Sequence, residues 1–295
     1  MEYLKAKTIL SKVNYGNDWY GVDYNMNLYK GCSHGCIYCD SRSNCYHIDN
    51  FDIPKGKENA LLILEKELSK KNDHGVVGIG SMSDTYNPQE VKYEQTRKAL
   101  KLISKYNFGV SIDTKSDLIL RDLDLLKEIN SKNNVIIKFT ITTPKDEISR
   151  IIEPNVCVSS KRLEAIKKLS DNGIFVGIMM NPILPFITDS EEDIKELVRL
   201  AHQSGAKFIQ TFMGMTLREN QRDYYYQKLD KYFPGIKEKY IKTYRESYNC
   251  PVPNYKYLYK VLTSECDKYG ILYNMKDIIK TYKKEIKENK QITLF

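Results

Sequence analysis

The feature that most restricts how this chain can fold is the regular exchange of short apolar runs for longer amphipathic ones between Tyr24 and Phe212. Strand-like runs cover residues 24–28, 76–79, 108–113, 134–142, 174–180 and 207–212. Helical patterns lie between them at 58–71, 89–105, 122–130, 159–171 and 190–204. The first of these carries Leu61, Leu62, Leu64 and Leu68 at helical spacing. Parallel strands need long crossover connections, and such crossovers are right-handed, so six strands with helices between them predict an α/β fold around one parallel sheet. Functional residues are then expected at the carboxyl ends of the strands. An open partial barrel and a doubly wound open sheet both satisfy this pattern, and both put the site in the same place.

Directly after the first strand-like run comes YKGCSHGCIYCDSRSNCYH, in which Cys32, Cys36 and Cys39 stand as C-x3-C-x2-C behind Gly31. Three thiolates from one short loop can bind three irons of a cubane cluster and leave the fourth without a protein ligand. An open metal position is what catalysis needs. Two plainer readings compete: a zinc site completed by Cys45, His34 or His47, and unpaired structural thiols. Zinc sites usually draw their cysteines from C-x2-C pairs.

The spacing, with Tyr38 just before the last cysteine, resembles the radical SAM superfamily. The resemblance implies a 4Fe-4S cluster on Cys32, Cys36 and Cys39 whose open iron binds S-adenosylmethionine. It implies reductive cleavage of that cofactor to a 5'-deoxyadenosyl radical, a reductant such as flavodoxin or ferredoxin, and a partial (β/α)6 TIM-type barrel. A narrower likeness runs from Asn25 to Phe212, through YKGCSHGCIYCDSRS, SMSDTYNPQE, TKSDLILRD, TITTPKDEISRIIEPNVCVSSKRLEAIKKLSDNGI and NPILPFITDS. Together these resemble the spore photoproduct lyase-like branch, also labelled DNA repair photolyase. In that likeness Glu153 and Pro154 lead to Arg162, while Asn181, Pro182 and Pro185 shape the loop after the fifth strand. What this implies is a DNA lyase, or a relative with another substrate, since a shared fold does not fix substrate.

The cofactor carries an ammonium, a carboxylate, a ribose and an adenine, so polar groups at strand ends are its candidate ligands. Tyr38 is one. Ser81, Ser83 and Asp84 follow the second strand and offer two hydroxyls and a carboxylate. The Gly-Gly-Glu-like segment that the family often carries there is not present. Thr114, Lys115 and Ser116 follow the third strand; Thr140, Thr142 and Thr143 end the fourth. Arg162, at the start of a helix, is expected to clamp the cofactor carboxylate in a two-pronged geometry. The plain alternative is that such Ser and Thr residues cap the next helix and the Arg is solvated. Cys45, six residues past Cys39, is a candidate hydrogen donor to a product radical, with a second metal or simple packing as its other readings. Cys157, Cys250 and Cys266 are expected to be small buried or partly buried residues.

Four segments are expected: a polar lead-in (1–23), the barrel (24–213), a helical, Tyr-rich extension (214–290) and a tail (291–295). Tyr224, Tyr225, Tyr226, Tyr255, Tyr257 and Tyr259, interleaved with Lys and Arg, fit stacking on nucleobases, or else the edge of a core. The tail QITLF resembles the short peptide with which bacterial DNA repair proteins and polymerases bind the sliding clamp. Gln291, Leu294 and Phe295 would make the contacts, unless Leu294 and Phe295 tuck back onto the protein. The net charge of +8 suits a nucleic-acid substrate, although Lys-rich solvated helices give the same sum. Seven cysteines, three of them in one loop, and a start (MEYLKAKTIL) without a signal-peptide pattern point to a reducing cytoplasm. No membrane span is expected, and the chain is expected to be a monomer. The leading expectation is a radical SAM enzyme acting on nucleic acid. The alternatives are one acting on a small metabolite or protein, and a non-catalytic zinc-containing nucleic-acid-binding module.

Overall fold

The structure is a computed structural model that describes residues 1–13 and 19–283. The expected tail peptide at Gln291, Leu294 and Phe295 lies outside the described residues. In chain order the strands are β1 (Tyr3–Leu4), β2 (Leu10–Lys12), β3 (Tyr24–Met26), β4 (Tyr29–Lys30), β5 (Lys55–Lys57), β6 (Val76–Ile79), β7 (Gly109–Thr114), β8 (Val135–Thr140), β9 (Phe175–Met179), β10 (Ile209–Gln210), β11 (Gly214–Thr216) and β12 (Asn249–Pro251). The helices are α1 (Ala60–Leu68), α2 (Glu90–Tyr93), α3 (Gln95–Lys105), α4 (Leu123–Lys132), α5 (Asp146–Ile152), α6 (Ser159–Asp171), α7 (Glu191–Gln203), α8 (Gln221–Tyr232), α9 (Ile236–Tyr244), α10 (Tyr255–Tyr269) and α11 (Met275–Tyr282).

Six strands, β3 and β6 to β10, lie parallel and in sequence order across one sheet. With a crossover between each neighbouring pair, this is the expected partial barrel. Every residue of β8 is buried, as a parallel strand covered on both faces requires. Helices α1, α3, α4, α6 and α7 supply the covering layer through Leu64, Leu100, Leu126, Ile166 and Leu197, each 1% exposed or less.

The structure departs from the sequence pattern in three places that matter for the site. The polar lead-in joins the sheet: β2 pairs antiparallel with β3 and extends it to seven strands. Its three residues have too little periodicity to announce a strand. The expected helix over 89–105 is two helices, because Glu94 takes a left-handed conformation at φ 51°. The buried Glu90 carboxylate accepts the Thr96 N–H at 2.8 Å, so a side chain satisfies a free donor at the start of α3. The Tyr-rich extension also contains a short antiparallel pair, β11 with β12. Within the extension, α10 packs on α7 through buried Leu258, Leu262 and Cys266.

Candidate active site

The cysteine loop is shaped from both of its ends. Gly31 sits at φ +84°, where a Cβ would stand 2.7 Å from the Phe51 carbonyl oxygen, and that same oxygen accepts the Cys32 N–H at 2.8 Å. Only glycine fits there. Farther along, the end of α5 and the residues after it hold the loop. The Ile152 carbonyl accepts the Ile37 N–H at 2.9 Å, and Asn155 donates its side-chain N–H to the Ser33 carbonyl at 3.0 Å. The Tyr38 hydroxyl donates to the Glu153 carboxylate.

All three cysteines line one cavity of about 330 Å³, which also touches His34, Ser81, Ser83, Asp84 and Lys115. Burial raises each thiol's pKa, that of Cys32 from 9.0 to about 12 with Asp84 adding to the effect. Such thiols are reluctant to ionise alone; positive iron offsets that reluctance, because a metal-bound thiol gives up its proton. Among the described residues, no group of three or more His, Cys, Asp or Glu is arranged to hold a single metal ion. Three thiols from one loop, all lining one cavity, are a donor set that suits an iron–sulfur cluster.

The strand-end residues divide into those that face the cavity and those that serve each other. The Asp84 carboxylate accepts the Thr114 hydroxyl at 2.7 Å, the Lys115 N–H at 2.8 Å and the Tyr86 N–H at 2.9 Å. His34 Nδ1 lies 3.5 Å away. Asp84 thus ties β6 to β7 at the cavity wall. The Ser83 hydroxyl donates to the Gly31 carbonyl at 2.6 Å and ties the same wall to the cysteine loop. Ser81 keeps only a long contact to Asn27, at 3.4 Å, and is the freer hydroxyl. The Thr142 hydroxyl is buried without a hydrogen-bond partner, and it is Thr140 that reaches the cavity.

Arg162, expected from the sequence to clamp the cofactor carboxylate, is not among the residues that line the cavity. It is fully buried, with Nη1 2.6 Å from Glu153 Oε2 and further bonds to the Thr140 carbonyl at 2.9 Å and the Cys157 carbonyl at 2.8 Å. The reason is desolvation: a carboxylate as buried as Glu153 needs a fixed positive partner. Burial works against the Arg162 charge, yet Glu153 beside it holds its pKa above the ordinary value. Tyr38 likewise lies behind the loop, its pKa raised by burial and then by Glu153.

The cation that does line the cavity is Lys115, whose ammonium stands 5.9 Å over the Tyr38 ring. Burial opposes its charge, but Cys36, Glu153 and Asp84 around it keep its pKa above the usual lysine value. In the sequence it is one of several polar residues after a strand, and nothing there sets it above Arg162. Cys45 is exposed and borders a different cleft with Arg218, Asn220, Arg222 and Tyr248, so it is not brought to the cavity.

Residues 26–215 match the family model described as the radical SAM superfamily. An uncharacterized protein of Methanocaldococcus jannaschii is 36% identical over 180 residues, 60% of this chain and 66% of that protein. An uncharacterized protein of Mycobacterium tuberculosis is 28% identical over 240 residues, 79% of this chain and 70% of that protein. The chain thus spans about two thirds of the length of these relatives. Among solved structures, a spore photoproduct lyase mutant with bound AdoMet and dinucleoside spore photoproduct superposes with a TM-score of 0.68. That match is 16% identical and covers 92% of this chain and 80% of the lyase. The lyase complexed with dinucleoside spore photoproduct gives 0.68 at 15% identity, over 92% of this chain and 81% of the lyase. At such identities the likeness is one of fold.

Proposed function

Because the chain belongs to the radical SAM superfamily, and is therefore an enzyme that uses a 4Fe-4S cluster, S-adenosylmethionine and a reductant, we propose that it acts on nucleic acid as a lesion lyase or a close relative of one. The observation that carries the reading is the shared cavity of Cys32, Cys36, Cys39, Ser83, Asp84 and Lys115 at the carboxyl ends of parallel strands. When bound, the cluster and cofactor supply one-electron cleavage to a 5'-deoxyadenosyl radical, which abstracts hydrogen from substrate.

The chain's own residues do the rest. Cys32, Cys36 and Cys39 would hold the cluster through their thiolates. Lys115 offers an ammonium to the cofactor carboxylate, the role expected of Arg162, which does not line the cavity. Ser81 offers a hydroxyl to the ribose or the cofactor ammonium. Asp84 and Ser83 hold the wall in place, and its shared placement with the cysteines supports a role beside the cofactor. The nucleic-acid substrate is supported by the net charge of +8 and by the fold shared with a lyase that binds a dinucleoside photoproduct.

The experiment is anaerobic incubation of the iron-loaded protein with reductant, S-adenosylmethionine and oligonucleotides deuterated at their sugars and bases. Deuterium in 5'-deoxyadenosine is the expected result. Turnover of the cofactor with deuterium drawn only from a small metabolite or a peptide would move the substrate to those classes. Colourless protein carrying one zinc, with no 5'-deoxyadenosine formed, would overturn the enzymatic reading as a whole.

A further inference from the structure

Four residues that line the same cavity have no role in the reading above. The cysteine loop follows β3 on one side of the sheet, while β8 and β9 stand toward the other. The four are Asp113 at the end of β7, Thr140 at the end of β8, Met179 at the end of β9, and Trp19. Trp19 is the single tryptophan of the chain and is 50% exposed. It meets Tyr20 edge-on, with ring centroids 5.2 Å apart, so one edge of the indole is braced while much of its surface stays open.

Beside it the β7–β8 ladder sets Asp113 opposite Lys138. Lys138 is 1% exposed, its ammonium 3.0 Å from Asp113 Oδ1 and 4.5 Å from the centre of the Tyr20 ring. The Tyr20 and Ser111 hydroxyls next to this pair are buried without hydrogen-bond partners. A buried ion pair adds little net stability over apolar residues of the same size. What Lys138 does accomplish is to hold a carboxylate at the wall of a cavity, beside an open aromatic ring. That combination matches a flat heteroaromatic ligand with an N–H edge: the indole takes the face and the carboxylate takes the edge.

We propose that this wall is a subsite for a nucleobase of the substrate, with Trp19 stacked on the base and Asp113 accepting a hydrogen bond from one of its N–H groups. The subsite rests on the nucleic-acid reading above. The adenine of S-adenosylmethionine has the same chemistry, so the test separates the two sources.

Iron-loaded full-length protein is titrated anaerobically with a fluorescein-labelled single strand of thymidylate, whose ring N–H is a donor, and with an abasic strand of equal length. Anisotropy reports binding, and equilibrium dialysis reports S-adenosylmethionine binding. Thymidylate is expected to bind more tightly than the abasic strand. Trp19→Ala should weaken thymidylate by roughly tenfold or more and bring it to the level of the abasic strand, with abasic and S-adenosylmethionine affinities unmoved. Trp19→Phe should restore most of the preference. Asp113→Asn, with its fold checked by thermal melting, should also erase part of it.

A base preference that survives Trp19→Ala overturns the subsite and leaves the nucleic-acid reading standing. A tenfold loss of S-adenosylmethionine affinity in Trp19→Ala gives the wall to adenine and overturns the proposal. Absence of binding by either strand to the unaltered protein overturns both readings.

Discussion

Two buried glutamates hold the cysteine loop by the same chemistry, one at each end, and differ in what stands behind them. Glu90 accepts the hydroxyl of Tyr29, just before Gly31; Glu153 accepts that of Tyr38, between Cys36 and Cys39. Each is 1% exposed or less, and each faces an arginine. Arg121 is 20% exposed, 3.1 Å from Glu90 and 2.8 Å from Asp122, and Asp122 also pairs with Arg97 at 2.9 Å. Arg162 is fully buried and has Glu153 as its carboxylate partner at 2.6 Å. The outer clamp is a network that can lose a member, whereas the inner one is a closed pair. Loss of a partner from a closed pair strands a charge where water cannot reach it.

Removing a cluster ligand sets the top of the scale. Cys36→Ala is expected to abolish iron binding and reductant-dependent 5'-deoxyadenosine formation, read by iron assay and chromatography; retained iron with retained cleavage would remove Cys36 from the ligand set. Next in size is Glu153→Ala, which should lower stability by about 3–5 kcal/mol and release the cluster on mild denaturation. Glu90→Ala should be milder, about 1–3 kcal/mol, because Arg121 keeps Asp122, and its iron content should hold. Equal losses in denaturant titrations of the two variants would show that the closed pair and the network do not differ.

The pH dependence of the iron-free protein is a smaller effect. Burial raises Cys32 from 9.0 to about 12, so the unfolded chain ionises first. The stability that this thiol contributes is complete below about pH 9 and declines as pH rises toward 12, and Cys32→Ser should lessen that decline in thermal melts. The smallest expected effect is that of Cys45→Ala. The residue is exposed and away from the cavity, so iron content should stay as it was; a loss of iron would make it a ligand.

Much of this was legible in the chain, for local reasons. Helix α6 begins and ends where its pattern does, at Ser159 and Asp171, and β6 likewise spans Val76–Ile79, because one continuous apolar face marks each. Serine 190 was legible as a boundary, and its hydroxyl caps α7 by accepting the Asp193 N–H at 3.1 Å. The break at Glu94 was not, since it depends on Glu90 being drawn into a tyrosine and an arginine far along the chain. A lysine inside the apolar run VIIKFT was a signal of its own. Lys138 there is buried against Asp113, and a charge in a strand covered on both faces needs a partner on the neighbouring strand.

From its sequence alone the chain determined a parallel α/β sheet with a three-cysteine loop after the first parallel strand, because periodicity and ligand spacing act over a few residues. The tertiary structure decided which strand-end groups face the cavity and which are spent on one another. Arg162 went to Glu153, close by in the sequence, because a buried charge needs a fixed partner, while Tyr38 and Thr140, distant in sequence, close around that pair and Lys115 is left lining the cavity.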